Sequence, residues 1–141
     1  PVDDTCPTLT YNLVVRQQGR YFSPRVASVH SPGMTLCKPD ELYHVPVSHG
    51  EGRFVANDER ILELFRNGQI ATQYVDPQGR PSMDVEYNPN GSVQAIEGIF
   101  SPAGRICGKM CHIERSGKNS ARNIPGEKFM PVFESGAAYY K

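Results

Sequence analysis

The chain has 141 residues, enough for a single hydrophobic core and so for one domain or a piece of one. Hydrophobic residues make up 38% and charged residues 21%, which excludes a disordered tail. Its 15 Lys and Arg balance its 15 Asp and Glu, so no global field attracts a nucleic acid or an anionic membrane. The apolar runs are far too short to span a bilayer, and no basic start leads into an apolar signal segment. A soluble cytoplasmic protein is expected, with no nucleic acid and no membrane among its partners. Cys6, Cys37, Cys107 and Cys111 are too sparse for a disulfide scaffold and read as reduced thiols. The 13 Gly and 12 Pro are spread along the chain, which predicts many short strands and turns and few helices.

In chain order, residues 1–7 carry a Pro at each end and read as an extended lead-in. Residues 11–17, rich in β-branched and aromatic side chains, predict a strand; Gln18 and Gly19 predict a turn, and residues 25–29 a second strand. Ser31-Pro32-Gly33 and Lys38-Pro39-Asp40 mark a loop over residues 30–40. The apolar run at 42–47 leads into a glycine-rich stretch, and a strand ending so is how an α/β sheet presents a site at its carboxyl edge. The only convincing helix comes next. Asn57 and Asp58 can cap it, Ile61, Leu62, Leu64 and Phe65 share a face, and Asn67-Gly68 supplies a left-handed stop. Residues 69–75 predict a strand and 76–81 a turn. Residues 93–100 pair with 105–110 across Ser101-Pro102-Ala103-Gly104, which suits a type I turn. The polar stretch after Glu114 ends at residues 129–133, which predict a last docked strand.

Three constellations can carry chemistry. His112-x-Glu114 puts an imidazole and a carboxylate on one side of an extended segment, where the acid can brace the ring for proton transfer. Spacing alone does not distinguish this pair from two surface residues. Ser48-His49-Gly50-Glu51-Gly52-Arg53 lets the backbone approach a ligand closely and offers amides to a carboxylate, although by itself it reads first as a tight turn with a solvated Glu51–Arg53 pair. Cys107, Cys111 and His112, with His44 and His49 elsewhere, are enough ligands for one zinc, but not at finger or ribbon spacing. The chain has no phosphate-binding loop, dinucleotide turn or nucleophile elbow, so no cofactor is expected in it.

Longer stretches point further. Val45-Pro46-Val47-Ser48-His49-Gly50-Glu51-Gly52-Arg53-Phe54, Asn67-Gly68-Gln69-Ile70-Ala71-Thr72-Gln73-Tyr74-Val75-Asp76 and Tyr87-Asn88-Pro89-Asn90-Gly91-Ser92 occur in order, followed by Ala95-Ile96-Glu97-Gly98-Ile99, the stretch 109–115 and Pro131-Val132-Phe133-Glu134-Ser135-Gly136. From about Pro7 to the end, the chain resembles the carboxy-terminal part of the class I glutamine amidotransferase domain of phosphoribosylformylglycinamidine synthases. The resemblance implies an α/β, flavodoxin-like fold that is strand- and hairpin-rich in this piece. In that family a Cys attacks the side-chain amide of glutamine, ammonia leaves, and the thioester is hydrolysed to glutamate. The motif places the general base at His112 and its orienting acid at Glu114, and Ser48, His49 and Gly50 in the lining of the glutamine pocket. In the whole enzyme, ammonia passes to a synthetase domain that uses ATP and Mg to amidate formylglycinamide ribonucleotide for purine synthesis.

The departures from the family are as informative. Its nucleophile sits in a G-x-C-x-G-x-Q turn upstream of everything here, and none of the four cysteines has that setting. Cys111 replaces the usual Gly before the base and is expected to crowd the site slightly. Residues 1–141 are therefore expected to form a partial glutaminase domain without its nucleophile, inactive alone and partnered by glutamine, the cysteine-bearing half and the synthetase domain. A fragment of a parallel sheet should also expose an apolar edge. The alternative is a degenerate, non-catalytic module kept for binding or assembly.

Overall fold

The computed structural model describes residues 3, 5–117 and 119–141. The expected lead-in over residues 1–7 thus falls partly outside the described residues. In chain order the strands are β1 (Thr8–Thr10), β2 (Gln18–Phe22), β3 (Pro24–Val26), β4 (Val45–His49), β5 (Arg53–Val55), β6 (Ile70–Tyr74), β7 (Ile96–Phe100) and β8 (Cys107–Lys109). Helix α1 (Asp58–Arg66) joins β5 to β6, and α2 (Val132–Tyr139) follows β8. β1 pairs with β5, β2 pairs with β4, and a four-stranded sheet runs in the order β3-β6-β7-β8, every pair antiparallel. This is a mixed α/β piece of short strands and few helices, as the sequence predicts, although every ladder among the described residues is antiparallel and only β7 and β8 pair across a tight turn. No helix among the described residues is long and apolar enough to cross a membrane.

The core lies between the four-stranded sheet and the β2–β4 ribbon. Phe22, Val26, Val45, Val47, Tyr74 and Phe100 are buried there, with Phe22 edge-on to Tyr74 at 5.9 Å between centroids. A second cluster of Phe54, Leu64, Ile70 and Ile96 packs α1 onto the sheet. α1 starts as expected, with the Asn57 side chain accepting from the Arg60 amide, and stops before Gly68 at φ 64°. Only Ile61 and Leu64 of its predicted face are buried; Leu62 is 55% exposed and Phe65 41%.

Three expectations need correction. Residues 11–17 are an irregular loop, and Gln18 and Gly19 open β2 instead of turning. The reason is Asn12, which is 1% exposed and ties the loop to its surroundings through its side chain, while Val15 takes φ 52°, outside the range of any strand. Second, the anticipated last strand at 129–133 is the entry to α2. Ser135, fully buried, accepts from the Leu36 amide and donates to the Pro131 carbonyl, fastening the helix to the 3-10 turn Pro32–Met34 and the chain that follows it. Third, His112 and Glu114 do not lie on an extended segment. β8 stops at Lys109, and Ile113–Arg115 form a 3-10 turn.

β8 closes one side of the four-stranded sheet. Beside it lies a cavity of about 500 Å³ lined by Leu9, Phe54, Ile96, Ile99 and Met110.

Candidate active site

The turn after β8 brings the first constellation together by a different route from the one expected. His112 takes φ −86° and ψ 80° and precedes the 3-10 turn, so its Nδ1 meets Glu114 Oε1 at 2.7 Å. The His112 side chain is 29% exposed and that of Glu114 54%, leaving the pair half in contact with solvent. Glu114's own backbone amide and the imidazole hold its carboxyl below the usual glutamate value. A charged Glu114 therefore accepts the Nδ1 proton of a neutral ring and leaves Nε2 with its lone pair, the state a general base needs.

The second constellation lies against the first. The His112 amide donates to the Pro46 carbonyl of β4 at 2.8 Å, and β4 ends in Ser48 and His49. Charge on His112 or Glu97 is felt at the His49 ring, and burial holds that ring's pKa below the ordinary 6.5. Both His49 ring nitrogens are buried without a hydrogen-bond partner among the described residues. The ring lies against Gly52, where a Cβ would fall 2.2 Å from Cε1, so no larger residue fits there without moving the imidazole. Ser48 Oγ accepts from Gln17 Nε2 at 3.1 Å, and the Gly50 carbonyl accepts from the Asn12 amide at 2.8 Å.

Asn12 organises this loop. Its Nδ2 donates to the His49 carbonyl at 2.8 Å and to the Arg16 carbonyl at 3.0 Å, and its Oδ1 accepts from the Gly52 amide at 3.3 Å. Asn90 Nδ2 donates to the Gly52 carbonyl at 2.7 Å, and Ser92 Oγ accepts from the Phe54 amide at 3.0 Å. Asn12, Asn90 and Ser92 are all buried. Residue-by-residue reading passes over them. Asn12 sits inside an apparent strand, and the turn-like Asn88-Pro89-Asn90-Gly91-Ser92 reveals its role only when folded against residues 50–54.

Cys37 and Cys111 are buried in the core, and burial pushes both thiols up. An activated nucleophile needs the reverse, a thiol held low by positive surroundings. Cys111 packs among core residues that include Tyr74. The zinc alternative fares no better: His44 Nδ1 is 2.9 Å from Ser23 Oγ, and no three His, Cys, Asp or Glu side chains among the described residues converge on one point.

Comparison with known proteins gives the family. A family model described as a CobB/CobQ-like glutamine amidotransferase domain matches residues 1–140. The phosphoribosylformylglycinamidine synthase subunit PurQ of Methanosarcina acetivorans is 34% identical over 131 residues, which is 93% of this chain and 54% of that protein. PurQ of Thermomicrobium roseum is 39% identical over 92 residues, 65% of this chain and 38% of that one. A chain of the solved structure of PurLQS from Thermotoga maritima superposes with a TM-score of 0.72 at 26% identity, covering 96% of this chain and 54% of that chain. At 54% of M. acetivorans PurQ, this chain spans about half the length of such a relative. It belongs to the CobB/CobQ-like glutamine amidotransferase domain family.

Proposed function

We propose that this chain is the base-bearing part of the glutaminase of a phosphoribosylformylglycinamidine synthase. In this reading Glu114 orients and polarises His112. His112 removes the proton from a cysteine thiol supplied by the other half of the domain and returns a proton to the leaving ammonia. It then activates the water that hydrolyses the thioester to glutamate. Ser48, His49 and Gly50 line the pocket for the glutamine substrate, at a loop held by Asn12. ATP and Mg act in the synthetase part of the whole enzyme, where the ammonia converts formylglycinamide ribonucleotide to its amidine. The observation that carries the reading is the 2.7 Å contact of His112 Nδ1 with Glu114 Oε1, on a backbone tied to the strand that delivers the glycine-rich loop.

The raised thiols of the buried Cys37 and Cys111 support assigning the nucleophile to the other half. The test combines a glutamate-release assay with intact-mass labelling by a glutamine-analogue affinity reagent. The expected result is no adduct and no turnover for this chain, and glutamate release on adding the cysteine-bearing half, abolished by His112→Ala. A stoichiometric adduct on one of the four cysteines, with turnover that His112→Ala removes, would instead make the chain a glutaminase in its own right. Failure of complementation despite a stable complex would favour the non-catalytic binding module.

A further inference from the structure

Behind His112 lies a buried ion pair. The Glu97 side chain is 0% exposed and that of Lys109 7%. Glu97 Oε2 meets both Lys109 Nζ and Thr72 Oγ1, and Lys109 Nζ also donates to Thr72 Oγ1 at 2.9 Å. Gly98 leaves room for this cluster: a Cβ there would fall 2.8 Å from Thr72 Oγ1 and 3.0 Å from Lys109 Cγ. Burial alone would push the Glu97 carboxyl up, but Lys109, Thr72 and the Cys111 amide together hold it below the usual value.

The second carboxylate oxygen faces the chain that leads to the base. Glu97 Oε1 accepts from the Met110 amide at 3.0 Å and from the Cys111 amide at 2.7 Å. The next amide, His112, is bonded to Pro46. Three successive amides are thus fixed directly ahead of the imidazole, at the end of the β7–β8 ladder, whose last pair is Gly98 with Lys109; the Met110 amide is shared with the Glu97 backbone carbonyl at 3.2 Å, so the Cys111 amide is the one that depends on the carboxylate alone. Burying an ion pair is a poor route to stability, because desolvation offsets most of the attraction and an apolar pair of similar volume does as well or better. An apolar pair cannot accept two amides at the end of a strand.

We propose that Glu97, held by Lys109 and Thr72, is a positioning residue for His112: it sets the direction in which the chain leaves β8, so that Nδ1 lands on Glu114. The inference rests on His112 being the base, but its test reads ring geometry instead of turnover, so the two can fail separately. Nitrogen-15 spectra of the His112 ring report its tautomer, which the Nδ1 partner selects. The spectra are recorded on the wild-type chain, on Glu97→Leu/Lys109→Met, which removes both charges and the acceptor, and on Glu97→Asp, which keeps the charge but withdraws the acceptor by one methylene. Wild type should carry its neutral-ring proton on Nδ1 and protect the Met110 and Cys111 amides from exchange. Both variants should shift the proton toward Nε2 and speed exchange at the Cys111 amide about tenfold or more, while the Met110 amide, still bonded to the Glu97 backbone carbonyl, and Ile61 and Leu64 in α1 stay protected. A folded variant with the wild-type tautomer would overturn the inference. If the double variant unfolds, Glu97→Asp decides alone, and rapid exchange at Cys111 in the wild type would also overturn it. Retention of glutaminase activity by His112→Ala in the reconstituted enzyme would sink the base assignment and leave the ring spectra untouched.

Discussion

Asn12→Ala tests how the glycine-rich loop is held. The substitution removes the bonds from Nδ2 to the His49 and Arg16 carbonyls and from the Gly52 amide to Oδ1, while the backbone bond from Asn12 to Gly50 can stay. Arg16 is exposed, so water can replace that contact at little cost. The buried Gly52 amide and the part-buried His49 carbonyl have no such replacement, and leaving a buried polar group unpaired costs about 1–3 kcal/mol. Together they predict a loss of about 2–6 kcal/mol, a fall in Tm of roughly 10–20 °C for a chain of this size. Urea unfolding followed by circular dichroism measures the loss, and amide exchange at Gly52 and Arg53 tests whether it is local to the loop. A loss below about 0.5 kcal/mol, which is typical of a surface position, with unchanged exchange at Gly52, would mean that Asn12 does not hold this loop.

Other consequences follow from the buried charges and thiols. Lys109→Met leaves the Glu97 carboxylate unpaired in the core and should destabilise by about 3–5 kcal/mol in urea, and adding Glu97→Gln should restore most of it; purely additive effects would refute the coupling. Burial lowers the pKa values of His44 and His49, so the unfolded chain takes up protons that the folded chain refuses. Their cost to stability therefore appears as pH falls through the ordinary value of 6.5, and the urea midpoint should drop between about pH 7.5 and 5.5. His44→Gln/His49→Gln should flatten that drop, and a wild-type profile already flat would contradict the burial. Glu97 acts at the acid end: its contribution is intact above its ordinary value of 4.5 and is lost as pH falls through the depressed folded value. Iodoacetamide on the native chain should spare Cys37 and Cys111 until urea is added; mass spectrometry showing Cys111 labelled as fast as Cys6 would show that its site is open.

The elements legible in the sequence are those whose causes are local. Asn57 and Gly68 bracket α1 because a cap and a left-handed stop involve only neighbours in the chain. The β7–β8 hairpin follows from Pro102 and Gly104, placed where a type I turn wants them, for the same reason. His112 and Glu114 stood out as a pair because two residues so close in sequence can meet in almost any conformation, so the 2.7 Å contact forms even though the expected strand is a 3-10 turn. The resemblance to amidotransferases was readable because it rests on several ordered motifs rather than on any one spacing.

What remained hidden depends on partners distant in the chain. Residues 11–17 have the composition of a strand, but the buried amide of Asn12 bonds 37 residues away at His49 and bends them into a loop. Residues 129–133 form a short apolar run, which periodicity cannot assign to strand or helix; Ser135, bonded to Leu36 across 99 residues, secures the helix that follows. Glu97 in a strand of Ile, Gly and Phe looks out of place until Lys109, Thr72 and two amides surround it. Sequence by itself determined which residues carry the candidate chemistry. Only the tertiary structure decided what holds them, because a buried polar group is satisfied by whatever the fold brings within hydrogen-bond reach, and that distance has no trace in sequence spacing.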